Sequence, residues 1–200
     1  YFTAEVMRRL HNLPLEVPLV VLSSGRKVSA CSQLAAQKGI TPGLTRAQAV
    51  WYCPEAHLVD VDEDVLQRAE RQVLETCAFF TPRVEAAPGA QVHTFSLDLE
   101  RLAPLEAQNL AGMLMVRLKT TLGWQGQIGL AGGKFPAFAL ASGLASGEVR
   151  YLPPEAIQES LAPLPLNLLP LTNNLARRLN LLGITTLGEF ASLPSSAVLA

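Results

Sequence analysis

The sequence predicts a mixed α/β domain over about residues 1–152, followed by a small all-helical domain. Three observations lead to this fold class. Short apolar runs of strand length alternate with amphipathic helical segments in the first part. Prolines 153, 154, 163 and 165 then interrupt the pattern and indicate a linker. Two short helical segments, 172–181 and 186–193, come after the prolines.

Strands and short helices alternate over the first 61 residues. The run 17–22 is apolar and predicts a strand, which ends in a turn at 23–26, and 27–31 is expected to be its hairpin partner. Ser32 can cap a short helix that ends at Gly39. A second helix is predicted over 44–53, because Pro54 stops it, and a strand over 57–61.

Longer elements follow up to residue 144. Acidic residues 62–64 open an amphipathic helix whose apolar face carries Leu66, Ala69, Val73 and Cys77. The segment 92–99 alternates with period two and predicts a half-buried strand. The remaining predictions are a helix marked by leucines 110, 114, 118 and 122, a strand at 127–130 and a helix at 135–144.

Composition indicates a globular protein with little net charge. The chain has 49% hydrophobic residues and a net charge of −1, from 16 Lys+Arg and 17 Asp+Glu. This balance argues mildly against tight DNA binding by the segment alone. No run is long enough for a membrane span, and no signal peptide opens the chain, so we expect a cytoplasmic protein. The chain begins without Met, and both ends are expected to be cut.

Several groups that could carry chemistry have simpler structural explanations. Cys31, Cys53 and Cys77 lack the spacing of a zinc site and are expected to be buried thiols. The acids between Asp60 and Asp64 suit a helix start better than a metal site. The histidines lack ligand spacing, and the Gly-Gly-Lys at 132–134 lacks the pattern of a phosphate loop. We predict no metal and no cofactor.

The sequence resembles the Y-family, or translesion, DNA polymerases. Phrases of that family occur here in the family's order, and together they cover nearly the whole chain. They lie at 1–6, 30–43, 47–54, 80–85, 95–98 and 181–194. The phrase at 131–141 is most similar to the ImuB-type branch, whose members are mutagenesis factors related to these polymerases.

The resemblance implies a Y-family polymerase core without the little finger domain. Residues 1–10 and 72–150 would form the palm, an α+β domain with a sheet backed by helices. Residues 11–71 would form the fingers. Residues 151–200 would form a thumb that is similar to a helix-hairpin-helix domain.

Positions that carry catalysis in the family are changed in this chain. Polymerases hold two metal ions with carboxylates, and the resemblance places the Asp-Glu pair of the second catalytic strand at His93 and Thr94. The residues that contact the nucleotide would fall on Thr3, Gln33, Ala36 and Phe138. The first catalytic aspartate would precede Tyr1. We therefore expect a homologue that is not an enzyme.

The predicted thumb also differs from the family. Its DNA-binding hairpin has Gly-x-Gly, which lets backbone N–H groups approach a phosphate closely. The corresponding turn here is 170–173, with side chains in place of the glycines. Candidate DNA contacts in this domain are Arg177, Arg178, Gly183 and Thr185.

The resulting hypothesis is a non-catalytic scaffold or adaptor in DNA repair, translesion synthesis and SOS mutagenesis. The resemblance implies DNA, bound weakly or with assistance, as a partner, and with it a nucleoid-associated location. It also implies a sliding clamp, an error-prone replicative-type polymerase and a RecA-like accessory protein as partners. Most of these contacts would use segments absent from this chain, and none involves a membrane. Two alternatives stay open: an active translesion polymerase with atypical ligands such as Asp98 or Glu100, and an unrelated protein-binding α/β domain.

Overall fold

The computed structural model describes residues 1–87, 93–100 and 102–194, without the side chain of Asn173. The chain divides into two compact units, residues 1–100 and 101–200, and each is described by itself. Within the described residues, no helix is long and apolar enough to cross a membrane.

The first unit contains four helices and five strands in the described ranges. A three-stranded sheet and a two-stranded sheet form its β-structure. In chain order its elements are α1 (Phe2–Leu10), β1 (Leu19–Leu22), β2 (Val28–Cys31), α2 (Gln33–Gln37), α3 (Arg46–Tyr52), β3 (His57–Asp60), α4 (Glu63–Ala78), β4 (Val84–Ala87) and β5 (Thr94–Leu97).

The three-stranded sheet has the order β2-β1-β3. β2 pairs with β1 as an antiparallel hairpin, and β3 pairs with β1 in parallel. All four residues of β1 are buried, as expected for a central apolar strand. The predicted hairpin of 17–22 with 27–31 is therefore confirmed, with slightly shorter strands.

Two helix caps lie where the sequence predicts them, and a third, at Thr45, is not predicted, because the expected helix 44–53 places this residue inside the helix. The Ser32 hydroxyl accepts from the backbone N–H of Ala35 at the start of α2. Thr45 and Gln48 form a reciprocal capping box at the start of α3. Asp62 accepts from the N–H of Val65 at 3.0 Å, so this acid caps α4, as its position predicts.

Helix α4 buries the apolar face that its periodicity predicts. Ala69, Val73 and Cys77 are buried on it, together with Thr76. Helix α1, which the sequence analysis does not predict, packs against α4, β1 and β2. Its Arg8 is 4% exposed and donates to the carbonyl oxygens of Pro14 and Val17, which fixes the loop after the helix.

The second sheet of this unit is the antiparallel pair β4–β5. β5 confirms the core of the predicted strand 92–99, although Val92 lies outside the described residues. All four residues of β5 are half-buried, so the two faces of the strand are covered to a similar degree.

The second unit consists of short helices and one parallel strand pair in the described ranges. Its elements are α5 (Pro104–Arg117), which continues as a π-helical turn (Leu118–Leu122), β6 (Ile128–Ala131), α6 (Lys134–Ser142), β7 (Val149–Leu152), a 3-10 turn (Pro154–Ala156), α7 (Ile157–Leu161), a second 3-10 turn (Leu166–Leu168), α8 (Asn173–Leu181) and α9 (Leu187–Ala191).

β6 and β7 are parallel, and α6 lies directly against β6. The approach requires Gly129 on β6, because a Cβ atom there would lie 2.3 Å from the Ala137 carbonyl oxygen and 2.7 Å from the Ala141 nitrogen. Strand Gly often marks such a close contact.

The proline-rich segment after residue 152 is packed, which corrects its interpretation as a linker. Leu161 and Leu166 are 8% and 5% exposed and belong to one hydrophobic cluster with Leu152, Leu179 and Leu187. The prolines start helical turns here, because a fixed φ suits the first helical position. The segment therefore joins β7 to α8 and α9 through a common core.

Candidate functional site

His93 lies immediately before β5, in a mostly apolar environment. Its side chain is 8% exposed. The ring centroid lies 4.7 Å from that of Phe2 on α1 and 6.4 Å from that of Phe95 on β5. The Glu70 carboxylate on α4 reaches the same place, with its Oε2 atom 3.7 Å from His93 Nε2. Two helices and one strand thus supply this cluster.

The His93 ring is unsatisfied in this environment. Nε2 is buried and has no hydrogen-bond partner, and 3.7 Å to Glu70 exceeds hydrogen-bond length. Burial lowers the pKa of His93 from its usual value near 6.5, and the Glu70 carboxylate opposes this shift without cancelling it. The imidazole is therefore neutral at pH 7 and above.

The donors near position 93 do not fit the pair of magnesium ions that the family implies. Mg²⁺ prefers carboxylate oxygens in octahedral geometry, whereas this place offers a neutral imidazole, one carboxylate and the uncharged Thr94. Among the residues that the structure describes, no group of three or more His, Cys, Asp or Glu side chains could hold a metal ion. His93, Thr94 and Glu70 therefore do not form the ligand set that such ions need.

The two acids at the other end of β5 are engaged by an arginine. Arg83 contacts Asp98 at 3.2 Å and Glu100 at 3.4 Å. The pKa of Asp98 is lowered, first by the backbone N–H of Glu100 and then by Arg83. These exposed carboxylates, the alternative ligands of the sequence analysis, therefore have a cation between them already.

The other predicted nucleotide-contact positions lie on helices. Thr3 is half-buried on α1, next to the Phe2 that stacks on His93. Gln33 and Ala36 are one turn apart on α2, where Gln33 is exposed and Ala36 is half-buried. Phe138 is half-buried on α6 of the second unit. Their assignment as altered contact positions stays a prediction.

The candidate DNA contacts of the helical region lie along α8 and the turn after it. Arg177 and Arg178 are exposed on α8. Gly183 has a φ of 78°, the left-handed conformation that ends a helix. The Thr185 N–H already donates to the Glu189 carboxylate at 2.7 Å, so a phosphate at that N–H would have to displace Glu189. Their role in DNA binding stays a prediction.

Comparison with known proteins assigns the family. The model of the impB/mucB/samB family matches residues 1–141. The chain belongs to this family. It is a Y-family polymerase-like domain, and the resemblance seen in the sequence is confirmed.

Named relatives come from bacteria and animals. The chain is 28% identical over 212 residues to a DNA polymerase IV of Yersinia pseudotuberculosis, an alignment that covers 100% of the chain and 57% of the relative. It is 24% identical over 165 residues to the DNA repair protein Rev1 of Drosophila melanogaster, which covers 82% of the chain and 17% of Rev1. The chain thus spans little more than half of the polymerase and a small part of Rev1.

Solved structures confirm the fold class. DinB from Sulfolobus solfataricus matches with a TM-score of 0.82 at 22% identity, over 99% of the chain and 59% of DinB. A ternary complex of Dbh matches with a TM-score of 0.81 at 22% identity, over 99% of the chain and 59% of Dbh. The mixed α/β core predicted from the sequence is therefore that of a Y-family polymerase.

These relatives correct one expectation. From the sequence we expect a protein that is not an enzyme, because His93 and Thr94 replace a carboxylate pair. That expectation is wrong, because relatives of this chain are named DNA polymerases.

Glu70 and Arg83 are the site residues that the sequence analysis misses. Glu70 lies four residues after Leu66 and three before Val73, on the apolar face of α4. An acid on such a face needs a polar neighbour, and this signal could have identified it. Arg83 carries no comparable signal, because its contacts depend on how β4 and β5 pair.

Proposed function

We propose that the protein acts in translesion DNA synthesis, with this chain as the polymerase-like core that binds primer–template DNA. The observation that carries the proposal is the match of the polymerase family model to residues 1–141. The Y-family fold over nearly the whole chain supports it. The stretch between Glu16 and Glu55, which has no Asp or Glu, supplies charge that suits a nucleic acid.

The finer role proposed here is that of an adaptor that places a further polymerase on damaged DNA during SOS mutagenesis. The observation that favours it is the donor set around His93, which does not suit Mg²⁺. The ImuB-type branch, the sliding clamp, the error-prone polymerase and the RecA-like protein belong to this finer proposal, as do the division into palm, fingers and thumb and a cytoplasmic location.

Binding and extension measured on the same samples test the proposal. The full protein is titrated with labelled primer–template DNA, and primer extension is followed with Mg²⁺ and with Mn²⁺ on undamaged and abasic templates. We expect binding that weakens as salt rises, because phosphate contacts release counterions. Failure to bind primer–template DNA at low salt would refute the proposal. Extension would show that the polymerase activity of the relatives is present in this protein.

A further inference from the structure

Strand β3 lies at an edge of the three-stranded sheet. It pairs with β1 on one side, and in the described ranges no strand pairs with its other side. The N–H groups of His57 and Val61 donate toward the β1 side. Because peptide groups alternate in direction along a strand, those of Leu58 and Asp60 point to the outer edge. This edge therefore offers two N–H donors and two carbonyl acceptors to a further strand.

An open groove runs along the outer edge of β3. Its volume is about 670 Å³, and it is lined by Leu10, His11 and the segment 57–64. Successive side chains of a strand point to opposite faces of the sheet, so a groove that touches all four residues of β3 lies beside the strand and not on one face. Leu58 and Asp60 form no hydrogen bond with a described element other than β1. We call this space the edge groove.

The edge groove is acidic. Asp60, Asp62, Glu63 and Asp64 are exposed and line it, together with two exposed histidines, whereas its lining contains no Lys or Arg. Asp62 caps α4. The other three carboxylates form no ion pair with a residue in the part of the chain that the structure describes. Three negative charges without an ion-pair partner thus lie next to the free peptide groups of the edge.

We propose that the edge groove binds an extended, Lys- or Arg-rich segment of a partner protein, which pairs with β3 as a fourth strand of the sheet. In this mode of recognition the main-chain hydrogen bonds at a free edge supply affinity, and the side chains beside the edge supply specificity. Basic side chains on the added strand would pair with Asp60, Glu63 and Asp64. The inference goes beyond the proposed function, because it does not depend on DNA.

The charge of the edge groove decides between possible occupants. Its carboxylates repel the phosphates of a nucleic acid. A second copy of this chain, paired through the same edge, would bring two sets of acids together, and like charges opposite each other destabilise a strand pair. Charges on a short edge strand protect it from such pairing. A basic segment is the occupant that these charges attract.

The test uses a synthetic peptide as the probe. A labelled, end-capped octapeptide of alternating Lys and Val is titrated into the full protein at low salt and followed by fluorescence anisotropy. Eight extended residues span about 26 Å, which is enough to cover β3. An octapeptide of alternating Glu and Val has the opposite charge and is expected not to bind.

The acidic residues are tested by neutralising them. The acid-neutralised variant combines Asp60→Asn, Glu63→Gln and Asp64→Asn. It is expected to bind the Lys-Val peptide about tenfold more weakly, at about twofold for each exposed ion pair that is lost. A matched control variant, which should bind the peptide as the unchanged protein does, replaces by Gln three exposed glutamates that do not line the groove: Glu75, Glu155 and Glu159.

Strand pairing is tested separately from charge. A Lys-Val peptide that is N-methylated at every residue keeps its charge and loses its N–H donors, so it is expected to bind about tenfold more weakly or not at all. Residue-resolved amide exchange locates the pairing. With the peptide bound to nine-tenths of the protein, the Leu58 and Asp60 amides should exchange about tenfold more slowly, because only the free tenth exchanges. The Val61 amide, which already donates to Leu22, should change little.

Each outcome supports or overturns the inference. Weaker binding by the acid-neutralised variant together with slower exchange at Leu58 and Asp60 would support it. No binding at about 1 mM peptide, or equal binding by the acid-neutralised variant, would overturn it. Unchanged exchange at Leu58 and Asp60 would also overturn it, since the peptide would then be held by charge alone. Slower exchange of these amides on addition of oligo(dT), or on raising the concentration of the protein alone, would assign the edge to nucleic acid or to a second copy instead. None of these results decides whether the protein binds primer–template DNA, so the proposed function is tested independently.

Discussion

Replacing His93 by phenylalanine should stabilise the protein. The change removes the buried Nε2 atom that has no partner and keeps a flat ring between Phe2 and Phe95. A buried polar group without a hydrogen bond destabilises a protein by about 1–3 kcal/mol, and an apolar group of similar shape avoids that loss. Most core substitutions destabilise, so the sign of this prediction is distinctive.

The size of the effect can be read from urea unfolding. With a slope of about 2 kcal/mol per molar urea, a gain of about 1–3 kcal/mol raises the unfolding midpoint by about 0.5–1.5 M. Glu70 retains its 25% exposure and therefore some access to water in the variant. The measurement is made at pH 7.5, where His93 is neutral and Glu70 has no cationic partner to lose.

The pH dependence gives the prediction a second part. The pKa of His93 is lowered by burial, so the unfolded chain binds a proton at higher pH than the folded chain does. This contribution to stability is fully present above about pH 6.5, the unfolded value, and is lost as the pH falls toward the lower folded pKa. His93→Phe lacks this loss. The gap between variant and unchanged protein should therefore widen below pH 6.5.

His57→Phe is the matched control, because His57 is exposed on β3. It should change the free energy of unfolding by less than about 0.5 kcal/mol. The reasoning would be refuted if His93→Phe lowered the midpoint at pH 7.5, or if the gap to the unchanged protein narrowed as the pH fell. Either result would mean that His93 is hydrogen-bonded or charged in the folded protein.

Three further predictions concern packing, thiol reactivity and the arginine between two acids. Gly129→Ala should lower the thermal midpoint, since overpacking against the α6 backbone destabilises by about 1–3 kcal/mol, whereas Gly126→Ala, with no atom within 4 Å, should not. Burial raises the pKa of Cys77 to about 11, so at pH 8 only about a thousandth of this side chain is thiolate. Mass spectrometry after treatment with a thiol reagent should therefore show no label at Cys77 until the protein unfolds. Arg83→Met should raise the pKa of Asp98 in an NMR titration and still leave it below the ordinary value of 3.8, because the hydrogen bond from the Glu100 N–H lowers this pKa more than Arg83 does. A pKa at or above 3.8 in the variant would show that Arg83 has the larger effect.

Local signals allowed much of the first unit to be predicted from the sequence. The hairpin, the caps at Ser32 and Asp62 and the apolar face of α4 depend on residues close together in the chain. Such elements follow from turn chemistry, capping and periodicity. Helix α1 was missed because its buried residues include Arg8, whose charge is satisfied by the loop carbonyls and by Glu5 one turn away on the same helix. Strand β7 was missed because its pairing with β6 spans about twenty residues.

The candidate site was less predictable than the fold. The sequence identified position 93 through the order of family phrases, and it could not show that Glu70 faces it, since 23 residues separate them. The same limit applies to Arg83, which meets Asp98 only after β4 and β5 pair. Contacts between elements depend on register and packing, and a change of one residue in register would turn each strand side chain to the other face.

The net charge of the chain is a weak guide to whether it binds DNA, and the reason is physical. A total of −1 argues against nucleic-acid binding only if the charges mix evenly over the surface. At physiological salt, an exposed charge acts over about 8 Å, so a phosphate senses only the side chains near it. Here Arg26, Lys27 and Arg46 lie together, while Asp60, Asp62, Glu63 and Asp64 follow the acid-free stretch. Binding there therefore depends on the balance between these cations and nearby acids such as Asp60, the register partner of Leu22 at the end of β1, and not on the sum over the chain.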